Sequence, residues 1–146
     1  MPLPRKALIT PSLSPEGSLF NPDPTAYLPH RFPFLFLDRI TGRDPGISAT
    51  AVRQVSSGEH CFVPFLMLEG LAQLAGVATV QEEGEGGFLA TIDHAEFLAP
   101  YQAGDTLEFS VRVLKSFGRL FMMEGEVAAA GQVLVQAVLT LGVGAL

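Results

Sequence analysis

Glu69 stands inside the run EHCFVPFLMLEGLAQLAG, where the flanking side chains are apolar for several positions on either side. Taking a charged carboxylate into such surroundings costs on the order of several kcal/mol, so the group must be protonated, hydrogen-bonded or paired across an interface. A carboxyl group kept partly neutral by its setting passes a proton to a leaving group, which an exposed carboxylate does poorly. Gln73 follows at the spacing that shares one helix face with Glu69 and can orient it. Ala72 and Gly76 are small and leave room for a substrate or a closely approaching strand. The structural alternative is a Glu69 bonded to backbone or to an arginine of another element.

His60, just ahead of the apolar run, is a candidate general base, although a lone histidine beside a loop is more often only solvated. His30, in YLPHRFPFLFLDRI, is its rival, or else packs the start of the first strand. His94 follows Asp93 and receives no role. Cys61 adjoins His60, but neighbours in sequence do not thereby form a nucleophile and base, so a buried or idle thiol is expected.

These residues need a scaffold, and the chain of 146 residues is long enough for one domain with a real core and too short for two. Hydrophobic residues make up 48% against 16% charged, which excludes disorder, and no uncharged span of membrane length interrupts the chain. One cysteine excludes an internal disulfide and a cysteine-built zinc site. The net charge of -6, with the Lys and Arg scattered, argues against a nucleic-acid partner. The first residues lack the continuous apolar stretch of a secretory signal, so a cytoplasmic protein is expected.

Residues 1–26 carry prolines at 2, 4, 11, 15, 22 and 24 and read as an arm, with one domain over 27–146. FLFLDRIT (34–41) predicts a strand, Asp44-Pro45-Gly46 a turn and ISATAVRQVS (47–56) its hairpin partner. Pro64 opens a helix to about Gln81 that is apolar on every side and so must be buried by its neighbours. Strands follow at 88–98, 107–113, 119–129 and 133–143, separated by turns at Gly104-Asp105, Gly118 and Ala130-Gly131. The last strand is apolar on nearly both faces, which calls for a helix on one side and a partner subunit on the other. Such an order gives an α+β domain, an antiparallel sheet around one helix.

YLPHRFPFLFLDRI, LEGLAQLAG and IDHAEFLAPYQAGDTLEFSVRVLKSFGRLFMMEGEV, in that order, resemble the β-hydroxyacyl-acyl carrier protein dehydratases of fatty acid synthesis (the FabZ and FabA group) and their hotdog-fold relatives. The resemblance spans residues 27–143. One segment departs: the family's catalytic histidine lies in a Gly-His-Phe-Pro-Gly-x-Pro-x-x-Pro-Gly loop, and GEHCFVPF is shorter. The resemblance implies the hotdog fold, a homodimer or larger assembly with shared sites, and dehydration of a 3-hydroxyacyl thioester to the trans-2-enoyl product. It implies a catalytic pair of Glu69 and His60, or failing that His30, from opposite subunits, and no metal or redox cofactor. Amides around Val63 and Phe65 would stabilise the enolate oxygen. Gln73 would orient Glu69, and Phe62 and Phe65, with Phe88, Phe97 and Phe121, would line an acyl channel or, more commonly, fill the core.

The carrier implied is acyl carrier protein or coenzyme A. An acidic carrier would meet an acidic protein, so Arg31, Arg39, Arg53 and Arg119 would have to form a local basic patch. Two competing readings share the architecture: an acyl thioesterase, in which the carboxylate directs a water at the thioester, and a non-catalytic acyl-binding or assembly subunit.

Overall fold

The apolar segment after Pro64 folds as a single helix, α1 (Pro64–Thr79), in a computed structural model that describes residues 20–56 and 64–145. Proline at the first helical position costs no hydrogen bond, because the opening amides of a helix have no partner within it. From Met67 to Thr79 nearly every side chain is buried, as a helix without a polar face requires. No helix among the described residues is long and apolar enough to cross a membrane.

The strands are β1 (Arg39–Asp44), β2 (Ser48–Gln54), β3 (Glu85–Phe97), β4 (Thr106–Phe117), β5 (Leu120–Ala129) and β6 (Gln132–Ala145). They form one antiparallel sheet in the order β1-β2-β4-β5-β6-β3. Phe109, Val111, Met123, Val127, Val135, Leu139 and Leu141 meet Leu71, Leu74, Ala75 and Ala78 of α1 in the core. This is the hotdog arrangement expected from the sequence. Ala130 and Gly131, both at positive φ, make the tight turn whose twist suits the β5–β6 hairpin.

The end of the proline-rich arm packs onto the domain. Residues 24–26 form a 3-10 turn started by Asp23, Pro24 is buried, and the Ile40 amide donates to the Pro22 carbonyl at 2.8 Å. Phe20, Tyr27 and Leu28 then pack against the core, and Leu28 lies 3.5 Å from where a side chain on Gly76 would begin. The helix is thus enclosed by the sheet and by the segment leading into β1. Arg43 of β1 fixes the other end of α1, donating to the Val77 and Val80 carbonyls beneath the Tyr27 ring.

Two expectations need correction. The first strand does not run over 34–41 but begins at Arg39. The backbone of residues 34–36 is bonded to Arg31 and Gln73 instead of to a neighbouring strand. The last strand is not the face awaiting a partner either: β6 lies between β5 and β3 and is largely buried. The open apolar surface belongs to β3, a terminal strand with Phe88, Leu89, Ile92 and Phe97 exposed.

At Gly70 α1 packs tightly on the sheet: an added Cβ would stand 2.6 Å from the ring of Phe109, itself 1% exposed. Gly70→Ala gains about 1 kcal/mol of helix propensity. Overpacking against a ring with nowhere to retreat costs about 1–3 kcal/mol and outweighs that gain. The expected outcome is a lowered urea midpoint; a midpoint at or above the parent's would contradict this packing.

Candidate active site

Gln73 is the fixed point of the site. It is 2% exposed, and its amide makes three hydrogen bonds. Oε1 accepts from the Phe36 amide at 2.9 Å, while Nε2 donates to the Phe34 carbonyl at 2.8 Å and to Glu69 Oε2 at 2.9 Å. One side chain thereby joins α1 to the 34–36 segment and orients the carboxylate one turn before it. The spacing of Glu69 and Gln73 foretold the last bond; the other two depend on a long-range approach that no local pattern carries.

That same approach brings His30 to the site. Its Nε2 lies 3.8 Å from Glu69 Oε2, with the two side chains 33% and 41% exposed. His30 Nδ1 is buried and has no hydrogen-bond partner among the described residues. Arg31 holds the backbone here, its Nη1 donating to the Leu28 carbonyl at 2.7 Å and the His30 carbonyl at 2.8 Å. His30, whose sequence position favoured packing at the start of a strand, thus lies beside the Glu69 carboxyl. Arg31, seen from sequence only as part of a charge patch, supports the histidine's loop.

Glu69 departs from its expected setting. At 41% exposure it is not buried by its own chain, so the fold of one copy does not supply the apolar surroundings its sequence neighbours suggested. Phe65, Glu69 and Ala72 form an incompletely buried stripe at helical spacing along the first half of α1. Phe65 is 66% exposed and meets Phe97 edge to face, with ring centroids 5.6 Å apart. Phe65, Phe88 and Phe97 are consequently surface aromatics rather than core, and Phe121 alone of the described candidates packs against the core. His60, Cys61, Phe62 and Val63 lie outside the described residues.

The four-arginine patch does not assemble. Arg119 sits at the opposite end of α1, bonded to the Val143 carbonyl and to Glu85 at 2.8 Å, and its hydrogen bond holds the Glu85 carboxyl below the usual range. Arg53 lies over the Phe36 ring at 5.5 Å, beside the Gln73 clamp. His94, given no role, faces Glu96 at 3.7 Å on exposed β3. No group of three or more potential metal ligands occurs among the described residues.

Chemically, the site offers one oriented carboxyl group with an imidazole beside it and aromatic surface around it. That set can exchange a proton with a substrate held against the helix. The sequence model of the thioesterase superfamily matches residues 68–136. A relative from Campylobacter hominis, a 3-hydroxyacyl-[acyl-carrier-protein] dehydratase FabZ, is 38% identical over 126 residues, covering 75% of this chain and 87% of the relative. Among solved structures, the dehydratase heterocomplex ApeI:P from Xenorhabdus doucetiae superposes with a TM-score of 0.71 at 19% identity, covering 84% of this chain and 91% of that one. The smu.793 protein from Streptococcus mutans UA159, bound to acetyl CoA, gives a TM-score of 0.64 at 16% identity, covering 82% and 97%.

The clamp makes a direct prediction. Gln73→Leu keeps the volume but leaves the Phe36 amide and the Phe34 carbonyl without partners, at about 1–3 kcal/mol for each buried group left unpaired. The variant should melt markedly earlier than the parent. Equal melting of Gln73→Leu and the parent would contradict the clamp.

Proposed function

Because the chain belongs to the family of 3-hydroxyacyl-[acyl-carrier-protein] dehydratases FabZ, a relation carried by 38% identity over 75% of its length, we propose that its site removes water from 3-hydroxyacyl thioesters through Glu69. The chain is a dehydratase of the lyase class. The observation that carries Glu69 as the acid is its anchoring: Oε2 is tied to a buried amide that is itself tied to two backbone groups.

In the proposed reaction a base takes the C2 proton, the electrons of that bond form the C2–C3 double bond, and the C3 hydroxyl leaves as water with a proton from Glu69. His60 is assigned as the base, from its place before α1 in the sequence and the family resemblance. The amides of the first helical turn, which have no partner within the helix itself, stabilise the enolate oxygen. They precede Glu69 by one turn, roughly 6 Å along the axis, a spacing that lets the carbonyl and the 3-hydroxyl of one thioester face both.

The working unit in this reading is a homodimer or larger assembly. Strand β3 is a long terminal strand with four exposed apolar side chains, an edge that a lone copy leaves open to other chains. The stripe of α1 around Glu69 is likewise uncovered, and a second copy over it would supply the dry surroundings that Glu69 lacks. Acyl carrier protein is the assigned carrier, with coenzyme A thioesters as the alternative to assay beside it. The match to the thioesterase superfamily favours a second reading, attack of water on the thioester beside Glu69. Release of free thiol in place of the enoyl thioester would identify it, and binding of the acyl thioester without turnover would identify an acyl-binding subunit.

Two outcomes are expected. Sedimentation should show a dimer or larger species at micromolar concentration; a stable monomer would remove the shared site. Glu69→Gln keeps shape and hydrogen-bonding capacity while losing the transferable proton, so enoyl thioester formation should fall on the order of 10²- to 10⁴-fold. Its melting temperature should hold. A variant that melts early yet keeps its rate per folded molecule would make Glu69 structural.

A further inference from the structure

A neutral imidazole carries one hydrogen, on Nδ1 or on Nε2, and the surroundings of each nitrogen decide which. In His30 the two nitrogens differ sharply. Among the described residues Nδ1 is buried with no hydrogen-bond partner, while Nε2 lies 3.8 Å from Glu69 Oε2. A hydrogen on Nδ1 would be a buried donor without an acceptor, and it would turn the Nε2 lone pair toward a carboxyl oxygen that already accepts from Gln73. A hydrogen on Nε2 avoids both penalties. The remaining lone pair then lies on the buried nitrogen, where no substrate proton can reach it.

One hydrogen bond, from Gln73 Nε2 at 2.9 Å, thus holds Oε2, and His30 Nε2 stands beside the same oxygen at 3.8 Å, beyond hydrogen-bond length. Among the described residues neither makes a hydrogen bond to Oε1. In a protonated carboxyl group the oxygen that accepts hydrogen bonds takes the carbonyl role, and the hydrogen resides on the other. From this we infer that His30 is a positioning residue and not the base: with Gln73 it reserves Oε2 as an acceptor and presents Oε1 as the atom that delivers the proton to the substrate. The inference rests on the dehydratase reading for its chemistry and on the His30, Glu69 and Gln73 geometry for its atoms. The step balances as the Oε1–H proton passes to the C3 oxygen, the C3–O bond breaks and water departs. The C2 proton goes to a base other than His30, and the Gln73 hydrogen bond, with the His30 ring beside it, stabilises the carboxylate left on Glu69.

Glutamine at position 30 offers an N–H donor in place of Nε2–H and has no titratable group, which separates positioning from base catalysis. With a 3-hydroxybutyryl thioester, His30→Ala should lower kcat on the order of 10- to 100-fold with KM within about twofold, the pattern of an interaction realised at the transition state. His30→Gln should recover most of that loss and keep both limbs of the parent pH profile. In a Glu69→Gln background, His30→Ala should have almost no further effect, since the residue it positions is already disabled. His30→Gln as inactive as His30→Ala, with the basic-form limb of the profile lost, would overturn the inference, as would full activity in His30→Ala. A readout independent of turnover is the nitrogen-15 NMR spectrum of the His30 ring in the intact protein. The Nε2–H tautomer is expected; the Nδ1–H tautomer would overturn the assignment even if the protein proved inactive on every thioester, an outcome that by itself bears only on the dehydratase reading.

Discussion

The amide of Gln73 is the constraint on which the site depends. It is buried in a helix otherwise almost free of polar side chains, so each of its groups must find a partner or incur the cost of desolvation. The partners are the backbone of residues 34 and 36 and the carboxyl of Glu69. Satisfying the glutamine pulls the segment before β1 against α1, and that segment carries His30 to within 3.8 Å of Glu69. Packing, backbone satisfaction and chemistry are therefore coupled through one side chain.

The rest of the molecule makes that coupling rigid on one side and leaves it open on the other. The sheet and residues 20–37 close around the C-terminal half of α1, and Arg43 ties the end of the helix to β1. The N-terminal half keeps an incompletely buried stripe of Phe65, Glu69 and Ala72, and β3 keeps an edge that no described strand pairs, with apolar side chains exposed. In this reading the incompleteness is the shape of a subunit whose site is finished by association, since a carboxyl group in water lacks the setting that proton delivery to a poor leaving group calls for.

Much of the fold was legible because it rests on local periodicity. The unbroken apolar character after Pro64 fixed a buried helix, and alternation from Leu107 to Val113 marked β4. What failed was local pattern overruled by distant partners. FLFLDRIT has the composition of a strand, yet its first residues are bonded by Gln73, more than thirty positions away. The burial of Glu69 was inferred from its apolar neighbours in sequence, but along a helix adjacent residues point in different directions, and the stripe through Glu69 faces outward. The apolar face assigned to β6 belongs to β3, because sheet order decides which strand is covered and composition does not report that order. His30 was visible as a candidate, weighed against packing; that its ring lies beside the Glu69 carboxyl with one nitrogen buried and unpartnered among the described residues emerges only in three dimensions.

The claim that one carboxyl oxygen is held and the other works is tested most directly by a crystal structure of the protein with an uncleavable thioether analogue of a 3-hydroxyacyl thioester bound. Glu69 Oε2 should stay with Gln73 and His30 while the analogue's 3-hydroxyl lies within hydrogen-bond distance of Oε1, on the face completed by a second copy of the chain. A 3-hydroxyl bonded to His30, or bound away from Glu69 altogether, would contradict it.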